Sequence, residues 1–518
     1  MMELKVLHST MTTYGGRWET RLELPVETEL LIPDYLPAVF KIVKCLIRPV
    51  ILHNDLAGCR WHGEGYLRCT VYYQSDEGGA KLWRTEQKYP FEKTVELPEG
   101  RYLPGPAQLW GEVEYCNCRA VSEHRVDLRG AYTLSLAVLS IEERQLPSSM
   151  EDCGIEQRVT PQTGVVRAAA AEKIFTAETT LPLPGEGEAI LDIDGCFVPQ
   201  SMTVQAGQIS CQGLLRMEAV WRPHGEEELM TRQKEWTVQQ SMELEGAAEG
   251  DEGVCWGEVL SVALTAPEKE GREPALTIQW KLHAECWRSV KESLVVDAYS
   301  TLCETTISTV ACKFLQRCAA LEKTVTAVAE DDLPEAELSV RGCFVTPGAI
   351  QMEAVEDVEA PAVRLTGRGT AHVFCTDARG EMVCYDRDFT WQLPETYPGV
   401  PGDYLLQGGA AAARVVSSRT GARLRVEVDL NLHGILLAVQ TLQAVESVEL
   451  GEEFADKADG PALYLYYAEK GERIFDIAKR YHAKSRDIVA ANKLETGPEG
   501  EPPQATVETA CLLVPAAL

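Results

Sequence analysis

The chain is expected to be mainly β: three repeated antiparallel β-rich domains, sandwich- or barrel-like, followed by a small α/β domain of βααβ order. Three observations carry that expectation. Long stretches alternate apolar and polar residues with period two. Anchor residues recur at offsets near 150. After Leu463 the grammar changes to two short helical stripes between two strand-like runs.

The alternation is plainest late in the body, where Leu424, Val426, Val428, Leu430 and Leu432 interleave with Arg425, Glu427, Asp429, Asn431 and His433. Leu276, Ile278, Trp280 and Leu282 interleave with Thr277, Gln279, Lys281 and His283, and Leu134, Leu136 and Val138 do the same earlier. Period two means one buried and one wet face of a strand. With turns such as Pro398-Gly399-Val400-Pro401-Gly402, such strands read as antiparallel sandwiches or barrels. Helical periodicity in the body is confined to Gly164–Phe175 and Cys303–Gln316, where short helices or extended linkers are both open.

The repeat rests on anchors in constant order. Gly195-Cys196-Phe197-Val198-Pro199 recurs as Gly342-Cys343-Phe344-Val345-Thr346-Pro347, and more weakly as Lys44-Cys45-Leu46-Ile47-Arg48-Pro49. A glycine and a strand-like stretch follow each: Gly65 to Tyr73, Gly213 to Trp221 and Gly367 to Cys375. Next come Gln87-Lys88-Tyr89-Pro90-Phe91, Gln233-Lys234-Glu235-Trp236 and Asp388-Phe389-Thr390-Trp391. The expected organisation is repeat one at 1–150, repeat two at 151–302, repeat three at 303–452, a linker at 453–462 and a terminal domain at 463–518.

Composition bounds the function. The chain has 518 residues, 45% of them apolar and 25% charged, which suffices for large cores and excludes wholesale disorder. Its formal net charge is −30, with 49 Lys+Arg against 79 Asp+Glu. Such a surface repels phosphate backbones, so no nucleic-acid partner is expected. The acid is uneven: the segment from Leu463 onward is nearly neutral, and the body carries almost all of the excess. No run of about 18 apolar residues occurs, so no membrane insertion is expected. The opening MMELKVLHSTMTTYGGRW lacks a secretory apolar core. The 17 cysteines are scattered without a CxxC pair, which fits a reducing compartment with most thiols as small buried hydrophobes.

The last segment reads strand (Leu463-Tyr464-Leu465-Tyr466-Tyr467), turn (Lys470-Gly471-Glu472), helix (Ile474, Ile477, Ala478 and Tyr481 on one face), a second helix with Ser485 as N-cap, a Pro/Gly/Glu-rich loop at Glu495–Thr509, and a closing strand at Cys511-Leu512-Leu513-Val514-Pro515. It resembles a LysM domain through Lys470-Gly471-Glu472-Arg473-Ile474, Ile477-Ala478, Asn492-Lys493-Leu494 and Leu512-Leu513-Val514-Pro515. Glu472-Arg473 replaces the usual Asp-Thr, and the usual Pro-Gly-Gln before the last strand is missing. The repeats, with Leu-Pro entries (Leu31-Ile32-Pro33, Leu181-Pro182, Leu333-Pro334) and Asp297-Ala298-Tyr299-Ser300-Thr301, look like SPOCS domains. The layout is similar to that of clostridial spore-coat morphogenetic proteins. That resemblance implies a non-enzymatic scaffold in the mother-cell cytoplasm at the forespore surface. Its LysM domain would contact a SpoIVA-like coat-basement ATPase, and the body other coat proteins. The alternative is a wall-associated protein whose LysM domain binds peptidoglycan.

Lys470, Arg473, Phe475, Lys479 and Asn492 are the candidate partner-binding residues. Phe475 sits at the edge of the buried helical stripe, so it reads either as a packing residue or as an aromatic anchor for a protein partner. Lys470, Arg473 and Lys479 belong to a basic set that is either a solvated face or complementary to an acidic partner. Asn492 reads as a helix C-terminal residue or a sugar ligand. Asp192 and Asp194 share a strand face and are expected to be solvated. Cys116 and Cys118 are expected to be core thiols, and Cys45, Cys196 and Cys343 to occupy corresponding core positions. No Walker-type loop or H-E-x-x-H occurs, and the 9 histidines lack metal-ligand spacing, so no catalytic residue, metal or cofactor is expected.

Overall fold

The computed structural model describes residues 4–76, 81–181, 187–265, 275–333, 338–356, 359–454, 462–469, 471–494 and 510–515. Lys470, most of the 453–462 linker, the Glu495–Thr509 loop, Pro182 and Pro334 lie outside the described residues.

Nearly everything before residue 454 is strand. The first unit runs β1 (Lys5–Leu31), β2 (Lys41–Ala57), β3 (Arg60–Gln74), β4 (Leu82–Glu96), a two-residue β5 (Arg101–Tyr102), β6 (Gln108–Ser122) and β7 (Arg125–Glu151). The second runs β8 (Ile155–Thr180), β9 (Gly187–Gln205), β10 (Gln208–Pro223), β11 (Met230–Glu243), β12 (Glu252–Thr265) and β13 (Ala275–Ser300). The third runs β14 (Cys303–Asp332), β15 (Ser339–Ala354), β16 (Ala362–Thr376), β17 (Met382–Pro398), β18 (Tyr404–Thr420) and β19 (Arg423–Glu453).

The pairing has the same plan in each unit. The first and last strands run antiparallel along almost their whole lengths: β1 with β7, β8 with β13, and β14 with β19. The penultimate strand (β6, β12 or β18) adds to the free edge of the last one. The second, third and fourth strands form a meander whose middle strand, β3, β10 or β16, carries the recurrent glycine stretch. In the second unit β12 also pairs with β9 at Phe197 and Cys196, joining all six strands into one sheet.

Each meander packs on the long pair to enclose a core. In the first unit this core takes Leu24 and Val26 from β1, Trp61 and Val71 from β3, and Val126 and Leu134 from β7. The alternating stretches point their apolar residues inward as expected: Leu424, Val426, Val428, Leu430 and Leu432 are all at most 1% exposed.

The segments Gly164–Phe175 and Cys303–Gln316 are neither helix nor linker; both lie within long strands, β8 and β14. Ala168–Ala171 has high helix propensity, but β13 supplies ladder partners on both sides of Ala168 and to Ala169, Ala170 and Ala171. Tertiary pairing overrides a weak local preference.

Near its middle, each long pair leaves one residue unpaired: Gly15, Ala168 and Cys318 respectively. A bulge bends its strand. Beyond it, the ends of the three pairs converge on shared apolar clusters. One cluster joins Leu103 and Leu139 to Val254 and Trp287 and to Leu315, Leu405, Ile435 and Leu437. Another joins Met11 and Leu146 to Leu294 and to Cys312, Phe314 and Ala444. At the meanders, Tyr72 meets Phe344 and Phe374 with ring centroids 5.0–5.2 Å apart, beside Leu191 and Val220. Tyr72, Val220 and Phe374 each lie seven residues beyond the recurrent glycine, so equivalent positions meet about an approximate three-fold axis.

The terminal unit is a two-stranded sheet, β20 (Leu463–Ala468) with β21 (Ala510–Pro515), and two helices, α1 (Ile474–Tyr481) and α2 (Ser485–Asn492). Its core is Ile474, Ile477, Ala478, Ile488, Leu512 and Val514. Lys484, not Ser485, takes the N-cap position of α2, and Ser485 is the first helical residue. His482 and Lys493 end the helices in the left-handed region at φ 52°.

Two other expectations are corrected. Cys45 of β2 and Cys118 of β6 form a disulfide, so neither is a reduced core thiol, whereas the counterpart Cys196 is buried and free. Asp192 is buried and not solvated, because the packing of the units brings Arg48 of β2 to within 3.8 Å of both Asp192 and Asp194. No helix among the described residues is long and apolar enough to cross a membrane.

Candidate protein-docking surface

The face of α1 that carries Phe475 is set by spacing. Ile474, Ile477 and Ala478 point at the module's own sheet, which leaves Phe475 and Lys479, one helical turn apart, on the flank. That flank rests on the free end of the β8–β13 pair. Phe475 is only 6% exposed, and its ring meets Tyr299 edge to face at 5.2 Å. The Arg158 guanidinium stands 5.5 Å from the Phe475 centroid.

Two ion pairs accompany the rings. Lys479 Nζ lies 2.6 Å from Asp297 Oδ1, and Arg158 lies 3.3 Å from Asp476. The Tyr299 hydroxyl donates to the Ala483 carbonyl at 2.7 Å, and burial pushes the phenol pKa up. Glu156, facing the start of α2, is also pushed up by burial, against the pull of the Ser485 N–H and of Arg486 and Lys484. Phe454 packs on His482 with centroids 4.2 Å apart.

The candidate residues therefore separate. Phe475 and Lys479 come together in one contact, made to the same chain, and Phe475 is buried where the sequence placed it at a stripe edge. Arg473 is exposed at the N-cap of α1 and makes no ion pair among the described residues. Asn492 is spent inside the module: its amide donates to Ile488 O and Leu513 O and accepts from Leu513 N at 2.7–2.8 Å, tying α2 to β21. Both amide hydrogens are used there, so Asn492 acts as a tie within the module, the helix C-terminal role that was one of its two readings. Lys470 lies outside the described residues. On the far side of β20, Leu463, Leu465 and Tyr467 are 46%, 65% and 68% exposed.

A second polar feature lies where the three units meet, around a cavity of about 310 Å³ lined by Asn54, Trp256, Lys281, His283, Gln407 and His433, among others. His283 lies 3.2 Å from both Glu172 and Glu285, and Lys281 bridges Glu172 and Glu258 at 3.2 and 3.1 Å. Arg167 pairs with Glu285 at 3.1 Å and donates to the carbonyls of Leu103 and Pro104 in the first unit, and Lys281 donates to Ile51 O.

Burial opposes the charges on Glu172, Lys281, His283 and Glu285, yet the partners prevail. The His283 hydrogen bond and Lys281 hold Glu172 at about 2, and the two carboxylates raise His283 above its ordinary value. Burial, then the charge on His283, lowers His433 to about 4. Three cations and three carboxylates balance, and their remaining bonds reach across the units. The arrangement is chemically a polar joint.

The sequence reading missed Arg167. It recurs as Arg17 and Arg317 at constant spacing, facing Leu139, Trp287 and Leu437 across the long pairs, and that periodicity was the available signal. Arg17 lies over the Trp110 ring at 5.3 Å, and Arg317 pairs with Glu252 of the second unit.

Fold and surface together define a mainly-β protein with a small helical module seated on one of its units. No family model matches the chain, and no curated protein matches it.

Proposed function

We propose that this chain is a non-enzymatic scaffold of the SPOCS–LysM kind, a spore-coat morphogenetic protein of the SpoIVA-interacting type. It works in the mother-cell cytoplasm at the forespore surface. Its β body is the building block, and its terminal module docks a SpoIVA-like basement ATPase and other coat proteins.

One observation supports this reading above the others. The flank of α1 that rests on the β8–β13 tip has the makeup of a protein-binding face: an aromatic, Phe475, beside charges of both signs, Asp476 and Lys479. It already mates with a protein surface in this structure. Several units in one chain add multivalency to that single dock.

The test is direct. A fluorescent fusion of the full chain is expected to ring the forespore during sporulation, and the same fusion lacking residues 463–518 to lose the ring. The purified full chain is expected to bind purified SpoIVA-like ATPase saturably. A folded chain that binds no ATPase and stays diffuse in sporulating cells overturns the reading.

A further inference from the structure

The three long strand pairs end in equivalent tips, yet the module sits on one of them. Near each tip one residue of the last strand is left unpaired, Ser148, Val296 or Glu446, and this fixes the correspondence. The next cross-strand pair is Leu7–Ser149 in the first unit, Arg158–Asp297 in the second and Ser308–Ser447 in the third. Two residues further on stand Lys5–Glu151, Glu156–Tyr299 and Thr306–Glu449.

The first tip closes on its own ion pair, Lys5 to Glu151 at 3.0 Å, and the third on a hydroxyl pair, Ser308 to Ser447 at 2.7 Å. Only the second carries an aromatic ring next to a cross-strand pair of a cation and a carboxylate. All three of its side chains are engaged by the module: Tyr299 by Phe475 and the Ala483 carbonyl, Arg158 by Asp476, and Asp297 by Lys479. Tyr299 is 2% exposed as a result. One tip is thus matched to one helix face, ring to ring and charge to charge, while the equivalent positions elsewhere carry no aromatic ring.

We propose that this tip is an internal dock that covers the partner-binding face of α1, so that an outside protein must displace it. The proposal rests on the reading of α1 as the partner-docking face. It also states what the outside protein must offer in place of the tip: an aromatic ring to meet Phe475 edge-on, a carboxylate for Lys479 and a cation for Asp476. The apparent affinity for such a partner is the intrinsic affinity scaled by the fraction of molecules whose module is undocked. Weakening the tip raises that fraction without touching α1.

The experiment uses the full chain in three forms, wild type, Tyr299→Ala and Asp297→Asn, with purified SpoIVA-like ATPase as the probe. Asp297→Asn keeps the side-chain volume and the core, so it stands if Tyr299→Ala proves poorly folded. Amide hydrogen exchange over residues 474–481 is expected to quicken in both variants. Kd for the ATPase is expected to fall by about ten-fold for Tyr299→Ala and a few-fold for Asp297→Asn. An unchanged Kd in variants whose α1 exchanges faster overturns the internal competition while leaving the docking reading intact. Unchanged α1 exchange in both variants overturns it too, because the tip then holds nothing. If no form binds the ATPase while all remain folded, the docking reading itself fails and takes the proposal with it.

Discussion

The hydroxyl of Tyr299 donates to the carbonyl of Ala483 across 184 residues of sequence, at 2.7 Å, beneath a ring that is almost wholly buried. It joins module to body away from solvent. Its neighbours, Lys479–Asp297 and Arg158–Asp476, are partly exposed and contribute less than their short distances suggest.

Tyr299→Phe keeps the ring pair with Phe475 and removes that bond, leaving the Ala483 carbonyl without its donor. Docking is expected to weaken by about 1–2 kcal/mol. Hydrogen exchange of the α1 amides in the full chain reads this. Exchange identical to wild type counts against a docked module held by Tyr299.

His283 gives a pH signature. Its folded pKa is raised above 6.5, so its contribution to stability is whole below that value and is lost as pH rises through the folded pKa. His433 and His372, lowered chiefly by burial, act with the opposite sign, so the test is a difference between two proteins and not a single curve. The gap in thermal midpoint between wild type and His283→Gln is expected to be large near pH 6 and to shrink toward pH 9. A gap constant across that range counts against a charged His283 between Glu172 and Glu285. On the acid side Glu172, held at about 2, contributes above about pH 4.5 and loses that contribution as pH falls toward 2.

Glu285→Ala strands Arg167 and His283 in a buried site. Breaking a buried pair by removing one partner costs about 3–5 kcal/mol. The loss is expected in the unfolding free energy of the whole body, read by denaturant titration followed by intrinsic tryptophan fluorescence. A cost below about 1 kcal/mol means that solvent already reaches the joint.

Phe374→Ala tests whether the units are coupled. Removing a buried Phe typically costs about 3–5 kcal/mol. Phe374 touches Tyr72 of the first unit and lies in one cluster with Leu191 and Val220 of the second. Calorimetry is expected to show one body transition shifted down as a whole. A third-unit transition that separates while the others stay put shows independent units instead.

The disulfide between Cys45 and Cys118 spans 73 residues. Intact-mass measurement without reductant is expected to find it. Cys118→Ser is then expected to cost about 2–4 kcal/mol, localised to 41–122 by hydrogen exchange. A protein whose mass shows every thiol free, purified without reductant, contradicts the bridge.

Much of the body was legible residue by residue. The alternation from Leu424 to Leu432 predicts a strand with one buried face, and those five side chains are buried. The recurrent glycines at 65, 213 and 367 mark the same middle strand of each meander. Gly164–Phe175 was ambiguous because alanine favours helix locally, and only the partner strand β13 decided the matter. Phe475 was placed correctly at the margin of its helical stripe, but what lies against it was not legible, because Tyr299 comes from a strand 176 residues upstream.

By itself, the sequence determined the periods: two along the strands, 3.6 along α1, and about 150 from unit to unit. Those follow from side-chain direction on a local backbone and need no partner. Tertiary structure decided which equivalent residues meet at the axis, that Arg167 joins three units through Leu103, Glu285 and Gln407, and that Asp297, Tyr299 and Arg158 cover Phe475. The reason is physical. A local pattern says which face of an element must leave water, while the surface that receives it depends on how bulged strands bend and where distant segments arrive.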